Sequence, residues 1–127
     1  MARTTARLRA PRRLRGPALR IVWTTVPPRH AARVARALVE ARAAACVQVV
    51  PGVRSVYRWK GEVRRDAEAL LIIKATRGSL PRCLALLKAL HPYDVPELVV
   101  LPPGQVSGAY DRWAQGETRP DGLNSRR

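Results

Sequence analysis

The chain has 127 residues, a length typical of one domain, and 46% of its residues are apolar, which is enough for a hydrophobic core. Its formal net charge is +15, from 24 Lys and Arg residues against 9 Asp and Glu residues. No apolar run approaches the ~18 residues of a membrane span, and residues 1–17 lack the apolar segment of a secretory signal. The cysteines, Cys46 and Cys83, lack zinc-type spacing, so we expect reduced core thiols and a cytoplasmic protein without membrane partners.

The positive charge is densest at the N-terminus, where residues 1–17 hold six Arg and no acidic residue. A transit peptide would have the same Arg-rich, acid-free composition. The simpler prediction, for a stretch that cannot bury a hydrophobic face, is a disordered tail that binds nucleic acid only non-specifically, through its charge. Elsewhere no dense Lys/Arg cluster occurs, and an arginine-rich composition with solvated side chains explains the excess better than a nucleic-acid interface. Polar residues 116–127 predict a flexible C-terminal tail, which leaves residues 18–115 as the folded domain.

The first predicted element is a strand over Leu19–Val26, a β-branched run that two prolines end. Pro28 can begin a helix because its missing N–H costs nothing in the first turn. The spacing then predicts a helix over Arg29–Ala43. Its apolar stripe consists of Ala31, Val34, Ala35, Leu38 and Val39.

Residues 44–76 predict a long β-hairpin, because two β-branched runs flank a turn at Lys60-Gly61. Each arm has about fourteen residues, or roughly 45 Å, whereas typical strands have about five or six residues. Pro51-Gly52 interrupts the first arm and predicts a bulge or bend. The outer half is either a solvated ribbon or a surface that lies on another copy of the chain. Long exposed strands invite pairing, which favours a second copy.

The second half of the chain predicts a helix that starts after Ser79 and stops at His91-Pro92, a strand over Val95–Leu101, and a short helix over Ser107–Gln115. The element order is β-α-β-β-α-β with a terminal helix. Right-handed crossovers then predict an α+β, ferredoxin-like sandwich, in which two helices cover one face of a single sheet.

Several polar and aromatic residues are candidates for a ligand cleft. Lys74 ends an apolar run, so it is either an edge-strand charge or a buried cation that pairs with Glu68 or Glu97. His91 is either a ligand or a helix-terminal histidine that favours the negative end of the helix dipole. Four aromatic residues could line the cleft but are more typical of anchors at a protein interface, namely Tyr57, Trp59, Tyr110 and Trp113. The full candidate set is Tyr57, Trp59, Glu62, Glu68, Lys74, His91, Tyr93, Glu97, Tyr110 and Trp113.

No enzyme signature is present: the chain lacks Gly-x-Ser-x-Gly, a phosphate-binding glycine loop and His-Glu-x-x-His. The acidic residues Glu62, Glu68 and Glu97 form no evident catalytic pair, so we expect a protein that is not an enzyme. A basic RNA-binding module on the same fold is the alternative. Such modules stack bases on strand aromatics, and this chain has no Phe, which disfavours the alternative.

Five segments together carry a resemblance to a known family. They are Ala44-Ala45-Cys46-Val47, Ser55-x-Tyr57-x-Trp59-x-Gly61-Glu62, Glu68 with Ile72-Ile73-Lys74, His91-Pro92-Tyr93-x-Val95-Pro96-Glu97, and Tyr110-x-x-Trp113. In this order and spacing they span most of residues 20–115, and the chain resembles the CutA divalent-cation tolerance family. The resemblance implies a ferredoxin-like protomer, a homotrimer whose hairpins pack on neighbouring subunits, and a role in tolerance of divalent metal ions, especially copper. It also implies a small ligand or metal in clefts between subunits.

The resemblance further implies positions for copper ligands. In this chain those positions hold Thr24, Leu90 and His91, so His91 is the candidate metal ligand and copper the candidate cofactor. A lone imidazole without a soft partner is a poor copper site, so we expect weak or absent high-affinity binding of Cu(II).

Overall fold

The computed structural model describes residues 16–121, so most of the tail predicted over residues 1–17, and residues 122–127 of the tail predicted over 116–127, lie outside the described residues. The elements are strand β1 (Leu19–Val26), helix α1 (Pro28–Glu40), strands β2 (Cys46–Trp59) and β3 (Glu62–Thr76), helix α2 (Leu80–Leu90), strand β4 (Val99–Leu101) and helix α3 (Gly108–Glu117). The strands form one antiparallel sheet in the order β2-β3-β1-β4. The predicted α+β, ferredoxin-like architecture is confirmed. No helix within residues 16–121 is long and apolar enough to span a bilayer.

Helices α1 and α2 cover one face of the sheet, because each has an apolar stripe that faces alternate residues of the central strands. The core they form includes Val22, Val26, Val34, Leu38, Leu71, Ile73, Cys83 and Leu87, all fully buried. Helix α1 ends at Glu40, three residues before its predicted end at Ala43. The reason is local, since Arg42 takes a left-handed conformation with a φ of 58° that cannot continue the helix.

The predicted β2–β3 hairpin is present, and its strands pair from Cys46–Lys74 to Trp59–Glu62. Lys60 and Gly61 both have positive φ, as a two-residue hairpin turn of type I′ requires. The register shifts between Val50 and Val53, so the interruption at Pro51-Gly52 is a β-bulge. Strand β1 pairs with β3 only over residues 69–76, so the outer half of the hairpin extends beyond the other strands.

The other face of the sheet is apolar and largely uncovered by the rest of residues 16–121, and we call it the open face. Side chains alternate along a strand, so Ile21 and Trp23 lie opposite the buried Val22 and Thr24. The partners Leu70, Ile72, Val99 and Leu101 lie on the same face. Val99 and Leu101 are 42% and 37% exposed.

Helix α3 covers only one end of the open face. The Asp111 carboxylate accepts hydrogen bonds from the backbone N–H groups of Ala18 (3.1 Å) and Leu19 (2.8 Å). Thr118 is 4% exposed, and its Oγ1 lies 3.0 Å from that of Thr76. The folded part therefore continues beyond the predicted boundary at residue 115, because the end of α3 is held against β3.

Strand β4 is shorter than predicted, with three residues instead of the seven from Val95 to Leu101. Pro96 has no N–H for a strand ladder, and Val95 is 70% exposed. The segment from Pro92 to Leu98 instead runs beside the hairpin base, where it forms one wall of a cleft.

Candidate functional site

A cleft of about 510 Å³ lies where the outer hairpin meets β1 and the segment after α2. The β-bulge determines which β2 residues reach it. The bulge adds one residue to β2, which reverses the face of the sheet on which each later side chain of β2 lies relative to β3. Ser55, Tyr57 and Trp59 therefore share a face with the even-numbered residues of β3. The lining residues are Thr25, Ser55, Tyr57, Trp59, Arg64, Glu68, Pro92, Tyr93, Asp94, Val95 and Glu97.

Glu68 and Tyr93 form the most buried polar contact of the cleft. Glu68 is 6% exposed, and the Tyr93 hydroxyl donates a hydrogen bond of 2.7 Å to its Oε2 atom. Burial raises the pKa of Tyr93 well above its usual value, and the hydrogen bond and charge of Glu68 raise it further. The tyrosine therefore stays protonated and remains a donor to a buried carboxylate.

The hairpin wall has a second tyrosine–carboxylate contact. The Tyr57 hydroxyl donates to Oδ2 of Asp66, and this hydrogen bond is the main cause of a raised Tyr57 pKa. Tyr57 and Trp59 remain 39% and 37% exposed. Their aromatic surfaces are therefore available to a molecule in the cleft.

His91 joins two walls of the cleft from behind. It is 8% exposed, its Nε2 lies 2.9 Å from the carbonyl oxygen of Thr25, and its Nδ1 lies 3.2 Å from the backbone nitrogen of Tyr93. The Tyr93 N–H can only donate, so Nδ1 accepts and Nε2 carries the proton that is donated to Thr25. Thr24 Oγ1 lies 3.2 Å from the same Nε2. Burial lowers the pKa of His91, which favours this neutral form.

The residues around His91 do not fit a copper site. The Nδ1 lone pair accepts the Tyr93 N–H, and Nε2 is protonated, so neither nitrogen is left to bind a metal. Thr24 supplies a hydroxyl instead of a soft ligand, and Leu90 is apolar. No group of three or more His, Cys, Asp or Glu residues within 16–121 is arranged to hold a metal ion.

The structure brings together five predicted site residues in the cleft lining, namely Tyr57, Trp59, Glu68, Tyr93 and Glu97, with His91 directly behind them. The Glu97 Oε1 atom accepts a hydrogen bond of 3.3 Å from the Thr25 hydroxyl. Glu62 lies at the hairpin tip, outside the lining, where its carboxylate is 3.5 Å from the Arg64 guanidinium.

Lys74, Tyr110 and Trp113 lie outside this cleft. Lys74 is six residues from Glu68 along β3, or roughly 20 Å, and its Nζ donates to Oε1 of Gln48 at 2.9 Å. Neither carboxylate proposed as its partner forms an ion pair with it in the described part of the chain. Tyr110 and Trp113 have ring centroids 5.4 Å apart and pack against the buried Leu19, Ala45 and Ala114.

Sequence patterns did not indicate Thr25, Ser55, Arg64 and Asp94 as lining residues, or Asp66 as the partner of Tyr57. For the hairpin residues Ser55, Arg64 and Asp66, the sequence did contain a usable indication, namely the position of the turn. A two-residue turn at Lys60-Gly61 pairs Tyr57 with Arg64 and Ser55 with Asp66, as the structure shows. No local pattern indicated Thr25 or Asp94, because they reach the cleft from other parts of the chain.

The folded part of the chain is similar to one known protein family. Residues 20–117 match the family model described as the CutA1 divalent ion tolerance protein. The chain is 48% identical over 99 residues to the divalent-cation tolerance protein CutA of Thermus thermophilus, an alignment that covers 77% of this chain and 96% of that protein. It is 43% identical over 100 residues to the chloroplastic protein CutA of Arabidopsis thaliana, covering 78% of this chain and 55% of that protein.

The fold is also similar to a solved structure. The divalent cation tolerance protein (Cut A1) of Thermus thermophilus superimposes with a TM-score of 0.76 at 46% sequence identity. The match covers 80% of this chain and 99% of that one. The chain therefore spans nearly the whole length of the Thermus protein but about half the length of the Arabidopsis protein.

Proposed function

This chain belongs to the CutA1 divalent ion tolerance protein family, and we propose that it serves tolerance of divalent metal ions such as copper as a homotrimer. The observation that carries the proposal is the open face. Ile21, Trp23, Leu70 and Ile72 lie on it, and helix α3 covers only its end at Leu19. Apolar patches of this kind mark contact sites between proteins.

The overhanging hairpin supports the same assembly. Its exposed apolar residues include Val56 (65%), Val63 (62%) and Trp59 (37%), as measured within the described residues. Two neighbouring copies of the chain would cover the hairpin and the open face together. A closed assembly of identical subunits buries such apolar surfaces and leaves no exposed strand edge to which further copies could add.

We propose that ligand binding takes place where the cleft meets a second copy. The cleft shares the face of the sheet that carries Trp23 and Lys74, so assembly through this face would place it at a subunit boundary. Lys74, Tyr110 and Trp113 lie on or beside the open face, and Glu62 lies at the hairpin tip. We assign these four residues to the interface instead of to the cleft itself.

The protein acts by binding and not by catalysis in this proposal. The cleft supports this view because two of its three acidic lining groups accept hydrogen bonds from protein hydroxyls, Glu68 from Tyr93 and Glu97 from Thr25. The proposed compartment is the cytoplasm, since Cys46 and Cys83 are both free thiols. The Arabidopsis relative is named as a chloroplastic protein.

The RNA-binding alternative has no supporting observation, and we do not retain it.

The oligomeric state can be tested by sedimentation velocity. With 14.1 kDa per chain, a trimer has a mass of 3 × 14.1 = 42.3 kDa. Trp23→Glu places a charge on the open face and should shift the protein to monomers. Val39→Glu makes a similar change on α1, at a side chain that is 41% exposed, and should leave the trimer intact. A wild-type monomer at micromolar concentration would contradict the proposal.

The cellular role needs a separate test, in a host that lacks its own CutA1 protein. Wild-type protein should restore growth in excess copper sulfate, Trp23→Glu should not, and Val39→Glu should behave as wild type. Equal growth of all strains would refute a role in copper tolerance and leave the assembly untouched.

A further inference from the structure

We propose that the cleft binds a small organic cation, an alkyl amine with one or more ammonium groups, in preference to a bare metal ion or an anion. The inference rests on the proposed function, in which this cleft is the ligand site, and it adds the chemical class of the ligand. Three properties of the cleft support it: its charge, the burial of Glu68 and its aromatic walls.

The first property is a negative charge in an otherwise basic protein. The net charge of the chain is +15, yet among residues 16–121 the cleft is lined by Glu68, Asp94 and Glu97 against one cation, Arg64. The Arg64 guanidinium lies 3.5 Å from the carboxylate of Glu62, outside the lining, so its charge is already partly balanced. The cleft therefore attracts cations, although the surface as a whole attracts anions.

The second property is a buried carboxylate without a cationic partner. Glu68 is 6% exposed and accepts a hydrogen bond from Tyr93, but no ion pair of the described residues includes it. Burying a charge is costly unless the charge is paired, and a hydroxyl donor offsets only part of that cost. An ammonium group in the cleft would supply the missing charge and further hydrogen bonds.

The third property is a set of aromatic surfaces around these carboxylates. Tyr57, Trp59 and Tyr93 line the cleft, and the first two are more than a third exposed. Ring faces attract ammonium groups through their negative quadrupole. The chain itself gives an example, since the Nζ of Lys60 lies 5.8 Å from the centroid of the Trp59 ring.

The size and ligand set of the cleft favour an organic molecule over a metal ion. Its volume of about 510 Å³ is far larger than a single ion needs and lies within the usual range of small-molecule pockets. Within residues 16–121 no three His, Cys, Asp or Glu side chains converge as metal ligands. An anion would face the uncompensated charge of Glu68.

Calorimetric titration with three five-carbon probes of different charge tests the inference. At low salt, 1,5-diaminopentane should bind at least tenfold more tightly than neutral 1,5-pentanediol, and glutarate should not bind. The affinity for the diamine should fall with added salt, since part of it is electrostatic. Absence of diamine binding, equal binding of the diol, or tighter binding of glutarate would each overturn the proposal.

Variants locate the binding in the cleft. Glu68→Gln should weaken diamine binding tenfold or more, and Glu40→Gln, an exposed acid on α1, should leave it unchanged. Because Glu68 is buried and its substitution could disturb folding, Trp59→Leu is the second variant. It changes a side chain at the cleft surface and should weaken binding roughly threefold or more. Unchanged affinity in both cleft variants would place the amine elsewhere and refute the site.

Two further measurements distinguish a failure of this inference from a failure of the proposed assembly. Sedimentation of the same samples shows whether a trimer forms: a trimer that binds no diamine refutes the ligand class alone, and a monomer that binds it refutes the assembly alone. Lys74→Gln tests whether a lysine of a neighbouring copy fills the cleft. Diamine binding that appears only in this variant would overturn the proposal, because the cation would then be part of the protein.

Discussion

His91 organises the cleft although it lies behind the lining. Its neutral ring accepts a hydrogen bond from the Tyr93 backbone and donates one to the Thr25 carbonyl, so it holds together two segments that are distant in sequence. A protonated ring could no longer accept the Tyr93 N–H. The protonation state of this one side chain therefore affects the geometry of two cleft walls.

We predict that stability decreases as the pH falls below about 6.5, the ordinary pKa of histidine. Burial lowers the pKa of His91 in the folded protein, despite an opposite effect from the Thr25 carbonyl and Glu68. The unfolded chain then binds more protons at mildly acidic pH, so its stability relative to the folded state rises there. Urea unfolding between pH 8 and pH 5.5 should show this slope in wild type and a flatter one in His91→Gln. Identical slopes would refute the assignment.

We predict that Tyr93→Phe destabilises the protein by about 1–3 kcal/mol, because it removes the hydroxyl that donates to the buried Glu68. Tyr57→Phe is the matched control, since its carboxylate partner Asp66 is solvent-exposed, and should cost less than about 0.5 kcal/mol. The loss should shrink when Tyr93→Phe is made in a Glu68→Gln background, where no buried charge is left. Chemical denaturation of the four variants measures these differences. Equal losses in both backgrounds would show that the hydroxyl does not act through Glu68.

At the scale of elements, the β-bulge is the feature that assembles the cleft wall. Before it, Cys46, Gln48 and Val50 pair with even-numbered residues of β3, and after it Tyr57 and Trp59 do so. Without the extra residue the two aromatic side chains would lie on the opposite face of the hairpin. Gly52 makes this bulge possible, because its φ of 77° is one that L side chains rarely adopt.

We predict that Gly52→Ala destabilises the fold by about 1–2 kcal/mol through backbone strain. The space around it is not limiting, since no atom lies within 4 Å of the added Cβ. Gly78→Ala is the control: it also has open space but no positive φ, and should be neutral or slightly stabilising. Thermal or urea denaturation compares them. Equal effects of the two substitutions would contradict the role given to the bulge glycine.

At the scale of the whole molecule, surface properties are distributed unevenly. The helical layer covers one side of the sheet, and the open face and the overhanging hairpin leave apolar side chains exposed. The cleft concentrates acidic and aromatic residues at the point where the hairpin leaves the sheet. In the function we propose, the ligand cleft and the contacts between subunits therefore lie on the same side of the sheet.

The Arg-rich N-terminus gives a prediction at this scale. Because residues 1–17 carry six Arg and no apolar stripe, we propose that they lie outside the folded domain. Deletion of residues 2–15 should leave the melting temperature almost unchanged and remove most non-specific, salt-sensitive binding to nucleic acid. Calorimetry and a filter-binding assay at two salt concentrations measure both effects. A sharp drop in melting temperature would show that this segment is part of the fold.

The sequence by itself determined the elements that depend on local patterns. The bounds of β1, the hairpin turn at Lys60-Gly61, the bulge at Pro51-Gly52 and the span of α2 agree with the structure. Each of these follows from side-chain periodicity or from the conformational limits of proline and glycine, which act between near neighbours in the chain.

Only the tertiary structure decided where β4 begins, how far α3 extends and which residues share the cleft. Helix α3 runs to Glu117 because Asp111 and Thr118 bind distant backbone and side-chain groups of β1 and β3. Glu68 meets Tyr93 and not Lys74. Glu68 and Lys74 share a face of β3, but the rise of six strand residues separates them, while the chain after α2 returns to the hairpin base. Such contacts join residues far apart in sequence, and no local pattern encodes them.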